Sequence, residues 1–281
     1  MADLELAKKL NAIAWAAGAI TLEYFQVDTA VESKADDSPV TQADRAVEEF
    51  ILAELEKACP GIPVVAEEAV SAGSVPASAD RFFLVDPLDG TKEFIAGRSD
   101  YTVNIALIEK NQPVCGVVHA PARGTSYAGG RECGAYLCRG EEFGDSASRI
   151  AVRHADPAGI VAVASRSHNS PETDAFLAKF EIAERVSVGS SLKFCLLAAG
   201  EADLYPRFGR TMEWDTAAGH AVLLAAGGGV MTDAGVPLAY DKRDQTSDSD
   251  FANPHFIAFA DPEIGSKVEK MLKSTDIAKV G

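Results

Sequence analysis

The chain has 281 residues, more than most single domains, so one large layered unit and two halves sharing an interface are both open. Its composition, 47% apolar and 24% charged, is that of an ordinary soluble globular protein. Twenty-six basic against 42 acidic residues give a formal net charge of −16, which argues against nucleic acid and against an anionic membrane surface as partners, while a small anionic ligand in a locally cationic pocket stays compatible.

The first element, ADLELAKKLNAIAWAAGAITLEYF, carries Asp, Glu and Lys along its length and reads as an amphipathic helix, not as a signal peptide. No run reaches the roughly 18 apolar residues of a membrane span. The polar loop SKADDSPVTQAD follows, with Thr41 and Asp44 at capping-box spacing. Val47, Phe50, Ile51, Leu55 and Ala58 then recur at helical spacing, so a second helix is expected to run to about Cys59, before Pro60-Gly61. IPVVA is a short strand ending at Glu67 and Glu68, and RFFLV is another ending at Asp86. From Tyr101 to Cys138 the pattern of YTVNIALIE, the turn KNQP, VCGVVHAP, Gly-rich turns and GAYLC predicts an antiparallel meander.

The polar stretch 139–157 is the expected boundary, dividing the chain into 1–150 and 151–281. Beyond it strands alternate with helices: GIVAVAS, a helix from Pro171, ERVSVG, the helix SSLKFCLLAAG closed by Gly200, ADLYP, a helix from Asp215, GGVMTD, HFIAFA and a helix from Pro262. The polar segment 241–253, DKRDQTSDSDFAN, has no assignment from sequence. Five cysteines (59, 115, 133, 138 and 195) form no CxxC pair and read as free thiols of a reducing cytoplasm; Cys133 and Cys138 read as sheet residues, with no second pair to complete a zinc site.

Two strands thus deliver acids at their carboxyl ends, Glu67 after PVVA, and Asp86 with Asp89 after RFFLV. Each acid alone has a plain structural reading: DPLDG as a surface turn, Asp215 as a helix N-cap, Asp44 as a first-turn acid, Glu68 as a solvated neighbour of Glu67. If the strands are neighbours, however, three carboxylates converge, and such a cluster is tolerable only when it shares protons or holds cations. An all-oxygen set without nearby His or Cys suits Mg²⁺ or Mn²⁺.

Taken together, DPLDGT, the EE pair after a short strand, PVTQAD upstream and WDTAAG downstream resemble, in order and spacing, the lithium-sensitive Mg²⁺-dependent phosphatases that include inositol monophosphatase and fructose bisphosphatase. The resemblance runs from about Ala12 to Pro262 and implies a layered α/β fold of αβαβα type. It implies that Glu67, Asp86 and the Leu88 carbonyl hold a first Mg²⁺ and that Asp86, Asp89 and Asp215 hold a second, with two or three ions, or Mn²⁺, in the site. Gly90 and Thr91 would receive a phosphate at the start of a short helix, while Thr91 and Asp44 would orient and deprotonate the attacking water. On this reading 1–150 carries most metal ligands, and 151–281 carries the substrate contacts and Asp215.

Within that family, DPLDGTKEFI, SRSHN and GSSLKFCLLAAGEADLYPRFG are most similar to the CysQ-type 3'(2'),5'-bisphosphate nucleotidase subgroup, through Lys92, His168, Ser190, Ser191, Lys193 and Arg207. Arg207 stands seven residues before Trp214, where inositol phosphatases place an acid that contacts the polyol. A carboxylate suits hydroxyls, whereas a guanidinium suits a second phosphate. The implied reaction is removal of the 3'-phosphate of adenosine 3',5'-bisphosphate, or of its sulfated precursor, to give AMP and phosphate. The alternatives are an inositol or other sugar monophosphatase on the same site, and a non-catalytic regulatory binder, which is expected to have lost ligands that this chain retains. The implied partner is a small phosphorylated molecule, without nucleic acid or an integral membrane segment; a homodimer and peripheral membrane association stay open.

Overall fold

The computed structural model describes residues 2–25, 31–33, 39–140, 143, 147–165 and 170–277. Helix α1 (Ala2–Tyr24) is followed by a short antiparallel pair, β1 (Val31–Ser33) and β2 (Pro39–Thr41), and by α2 (Gln42–Ala58). Val47, Ile51 and Leu55 form the buried stripe of α2, and the chain turns at Gly61, where φ is +76°. Next come β3 (Val64–Ala66), the one-turn helix α3 (Glu67–Ser71), β4 (Arg81–Asp89), α4 (Thr91–Ile95), β5 (Thr102–Glu109), β6 (Gln112–Ala120), β7 (Thr125–Gly130), β8 (Gly134–Cys138) and β9 (Ala147–Ile150). Among the described residues β3 to β9 make one seven-stranded sheet in chain order, parallel between β3 and β4 and antiparallel thereafter.

The second half contributes β10 (Ile160–Ser165), α5 (Pro171–Leu177), β11 (Ile182–Val188), α6 (Leu192–Ala198), β12 (Leu204–Arg207), α7 (Glu213–Ala226), β13 (Gly229–Thr232), β14 (Phe256–Phe259) and α8 (Pro262–Ile277). Among the described residues its strands make a five-stranded sheet of order β11-β10-β12-β14-β13, parallel around β10 and antiparallel around β14.

Alternation along the strands decides the layering. On β4, Phe83 and Val85 face a cluster with Leu10 and Ala14 of α1 and Val47 and Ile51 of α2. Phe82 and Leu84 face the opposite way, into a cluster with Leu192 and Phe194 of α6, Ala217 and Val222 of α7, and Tyr205 and Phe256 of the second sheet. The outer face of that second sheet packs Ala162, Leu204 and Ile257 against Phe176 and Leu177 of α5 and Val268 of α8. The layers are therefore helix, sheet, helix, sheet, helix, as the resemblance implied. A side chain at Gly116 of β6 would bring its Cβ within 2.8 Å of the Ala218 carbonyl, so this glycine lets α7 lie directly on the first sheet.

The structure departs from the sequence expectations in several places: Pro39–Thr41, in the expected polar loop, forms β2, and Thr125–Gly130, in the expected Gly-rich turns, forms β7. Strand β4 does not stop at Asp86 but continues to Asp89 through a bulge. Helix α7 begins at Glu213, so Asp215 is its third residue and not its N-cap. Cys133 lies in the turn between β7 and β8, half-buried, while Cys138 is on β8 as expected. Within the polar stretch 139–157, Ala147–Ile150 forms β9 and completes the first sheet, because its backbone groups pair with β8.

Candidate metal and phosphate site

The bulge in β4 creates the site. Residues three apart on a regular strand point to opposite faces of a sheet, so Asp86 and Asp89 would diverge. Here Asp86 pairs with Asn104 and Asp89 with Thr102, so three steps on β4 face two on β5. The extra residue restores the parity and turns both carboxylates to one side. Pro87 falls within the bulge, where its missing N–H breaks no ladder bond. Asp86 Oδ1 accepts the Leu88 N–H at 3.0 Å and so fixes the kink.

Asp215 meets these two acids from α7. Carboxylate oxygens of Asp86, Asp89 and Asp215 all lie within 4.8 Å of one another. Asp215 is held by reaching back over the first turn of its helix, accepting the Met212 N–H at 2.7 Å. Glu67, the first residue of α3, follows directly on β3: Ala66 pairs with Val85 in the parallel ladder, so Glu67 and Asp86 come next on the two chains, and the Glu67 charge acts on Asp86 and Asp215. Asp44, 3% exposed in the first turn of α2, lies close enough to add its charge to the group.

Electrostatics show what this costs. Burial, followed by the charges of Glu67, Asp89, Asp215 and Asp44, pushes the Asp86 carboxyl well above the usual range. Asp215 is pushed up to about 8, by burial first and then by Asp89 and Glu67, against relief from the Met212 N–H and Arg207. Burial also raises Asp89, while Lys193 and the hydrogen bonds from Ser191 and Asn104 pull it back. The donor set is entirely oxygen, anionic and mutually repelling, so it fits hard divalent cations such as Mg²⁺ or Mn²⁺.

Beside the acids, Gly90 adopts the left-handed conformation, φ +90° and ψ 39°, and leads into α4. A Cβ on Gly90 would stand 3.3 Å from the Asp100 carbonyl and 3.4 Å from Ser190 Cβ, so the turn is pressed against the second half of the chain. The Thr91 hydroxyl donates to the Leu88 carbonyl at 3.2 Å, which leaves its lone pairs to accept from another group.

The loop before α6 is tied to the acids. Ser191 donates its N–H to Asp89 Oδ2 at 2.7 Å, and its hydroxyl lies 3.0 Å from the same oxygen and 2.6 Å from the Asp215 carbonyl. Ser191 is thus a strut between β4 and α7. Ser190 is held at φ +47°, and its buried hydroxyl has no hydrogen-bond partner among the described residues. Lys193 is buried, donates to the Ser190 carbonyl at 2.6 Å, and has its pKa lowered to about 8 by burial despite the opposing pull of Asp89. Arg207 Nη2 donates to the Arg210 carbonyl at 3.1 Å, and its buried Nε has no partner among the described residues. Lys92 is exposed on α4, and His168 lies outside the described residues.

Sequence reasoning missed several supports. Asn104 on β5 donates to Ser191 Oγ at 3.0 Å and sits 3.4 Å from Asp89 Oδ2. Glu48, on the buried stripe of α2, accepts the N–H groups of Glu68 and Ala69, both at 2.8 Å. An acid at 48 between the apolar positions 47 and 51 was the available signal. The unassigned segment 241–253 proves to clamp the start of α7. Glu213 accepts the N–H groups of Asp241 and Lys242 at 2.8 Å each, Phe251 O accepts the Glu213 N–H at 2.8 Å, and Asn253 Nδ2 donates to Met212 O at 2.7 Å.

Comparison with known proteins places this arrangement. Residues 3–258 match the model of the inositol monophosphatase family. The chain is 44% identical over 242 residues to the 3'(2'),5'-bisphosphate nucleotidase CysQ of Salmonella typhimurium, covering 85% of this chain and 89% of that protein. The Escherichia coli K12 protein of the same name is 44% identical over 232 residues, covering 80% and 87%. Among solved structures, CysQ of Bacteroides thetaiotaomicron superposes with a TM-score of 0.75 at 39% identity, over 91% of this chain and 97% of that one. A Thermotoga maritima IMPase gives the same TM-score at 25% identity over the whole of both chains.

Proposed function

The chain belongs to the inositol monophosphatase family, and from that premise we propose that it is a 3'(2'),5'-bisphosphate nucleotidase, hydrolysing the 3'-phosphate of adenosine 3',5'-bisphosphate to AMP and phosphate. The sulfated precursor is the second substrate of this reading. The observation that carries it is the acid cluster of Asp86, Asp89 and Asp215 with the cations Lys193 and Arg207 within electrostatic reach of it.

Glu67, Asp86 and the Leu88 carbonyl would hold one Mg²⁺, and Asp86, Asp89 and Asp215 another; the number bound belongs to this proposal. The chemistry such ions supply when bound is neutralisation of phosphoryl charge and a lowered pKa for water. The protein's own groups do the rest. Thr91, its proton committed to Leu88 O, offers lone pairs that orient a water, and Asp44 takes that water's proton. The N–H groups opening α4 at Gly90 and Thr91 receive oxygens of the 3'-phosphate. The Ser190 hydroxyl and Arg207 Nε, without a partner among the described residues, receive with Lys193 and His168 the nucleoside and its 5'-phosphate. The same proposal keeps 1–150 as the metal-bearing half and 151–281 as the half that selects substrate. All five cysteines are free, which fits a cytoplasmic setting, and no described helix is long and apolar enough to cross a membrane.

The test is phosphate release from adenosine 3',5'-bisphosphate, inositol monophosphate and fructose bisphosphate, each with Mg²⁺, by the parent chain and by Arg207→Glu. The substitution removes a charge-assisted bond of about 1.5–3 kcal/mol and sets a carboxylate against a phosphate, so kcat/KM for the nucleotide is expected to fall at least about tenfold. Inositol monophosphate is expected to lose much less. A parent chain that prefers inositol monophosphate, or equal losses on both substrates, would contradict the nucleotide assignment.

A further inference from the structure

Helix α3 has a poor start of its own. Its N-cap position is Ala66, in the extended conformation (φ −121°, ψ 147°), which has no side chain able to accept the first free N–H groups. The helix is five residues long and has no fully buried residue, so packing alone holds it weakly. Yet Glu67, its first residue, is one of the acids whose charge is felt by Asp86 and Asp215.

The missing cap comes from another helix. Glu48 stands one turn after Asp44 on α2, is 5% exposed, and places Oε2 on the Glu68 N–H and Oε1 on the Ala69 N–H, each at 2.8 Å. These are the second and third residues of α3, the N–H groups that an N-cap Ser or Asp normally serves. Both carboxylate oxygens are used, one for each donor. Glutamine would offer one acceptor and turn an NH₂ group toward the other N–H.

We infer that Glu48 is a positioning residue: by capping α3 from α2, it sets Glu67 against Asp86 and holds it at a fixed place relative to Asp44. The inference rests on the reading of Glu67 as a metal ligand. The location of Glu48 supports this role, since burying a carboxyl is costly and both of its oxygens are spent on N–H groups of α3. Partners that orient metal-binding groups in this way usually alter metal affinity by about 10–100-fold when removed.

The test is Mg²⁺ binding by isothermal titration calorimetry on the full chain, with the melting temperature of the metal-free protein read alongside. Glu48→Gln is expected to weaken binding by about tenfold or more. Ala66→Ser added to that variant places a hydroxyl at the N-cap, in reach of the Glu68 and Ala69 N–H groups, and is expected to restore most of the affinity. Glu67→Gln is the control for the reading beneath. Parent-like affinity in Glu48→Gln, with binding weakened in Glu67→Gln, overturns the role of Glu48 alone. Affinity lost in Glu48→Gln and left unrestored by Ala66→Ser overturns the capping explanation, and should the single variant fail to fold, the double variant must still bind Mg²⁺. Parent-like binding in Glu67→Gln removes the metal assignment itself.

Discussion

Asp203 and Asp86 are both out of contact with water, at 0% and 1% exposure, and they are treated in opposite ways. Asp203, at the edge of β12, receives Arg153 through Nε at 2.9 Å and Nη2 at 2.8 Å, and the Val161 N–H at 2.7 Å. Glu213, equally buried, receives two backbone N–H groups and the Lys242 ammonium at 2.7 Å. Asp86 instead has the Leu88 N–H at 3.0 Å, and burial, followed by a ring of further acids, raises its pKa. Acids that hold the fold are matched with donors and cations; acids left to repel one another require a partner from outside the chain. The contrast is sharpest at Asp86, since Asp89 within the same cluster also accepts from Ser191 and feels the Lys193 charge.

Substitutions can break that contrast at several points. The largest effect is expected for Asp89→Asn, which keeps volume and removes a charge from the cluster: Mg²⁺-dependent phosphate release should vanish while circular dichroism stays native. Retained turnover would make the cluster structural after all. Asp203→Ala should act in the opposite sense, keeping the site and costing about 3 kcal/mol of stability, because it removes charge-assisted bonds and strands the Val161 N–H. Urea unfolding measures it, and a loss below about 0.5 kcal/mol, the usual scale of surface changes, would erase the distinction. Thr91→Ala follows, with kcat lowered about tenfold, or 1.4 kcal/mol, and KM little changed, since orientation of water matters in the transition state. A change confined to KM would reassign Thr91 to substrate binding.

The smallest effect is on pH. The raised carboxyls of Asp86 and Asp215 keep protons in the folded state that the unfolded chain releases. Their contribution to stability is therefore full below the ordinary carboxylate pKa and is lost as pH rises through the folded values, about 8 for Asp215. In chelator, the melting temperature should fall between about pH 4 and pH 9, and Asp215→Asn should flatten that fall. A melting temperature rising with pH over this window, or an unchanged slope in Asp215→Asn, would contradict the charge account.

Much of this was legible in residue order. RFFLV followed by DPLDGT, and EE after PVVA, located four acids at strand ends because alternating and apolar runs fix where strands stop to within a few residues. The layers followed from helices and strands that could bury only one face each, and from the resemblance. What stayed hidden depended on backbone detail or on distant partners. The bulge at Pro87-Leu88 changes the facing of Asp89 without any sequence period to announce it. Asp215 resembles an N-cap, but its helix begins two residues earlier because Phe251 O accepts the Glu213 N–H from the 241–253 segment. Glu48 caps a helix twenty residues away, a pairing that no local pattern contains.

The most direct measurement is anomalous diffraction from a crystal of the parent chain soaked in Mn²⁺. The acid cluster as a metal site requires a strong peak bonded to carboxylate oxygens of Asp86, Asp89 and Asp215, displaceable by Mg²⁺. A well-ordered cluster with no peak, or manganese bound only elsewhere on the surface, would contradict it.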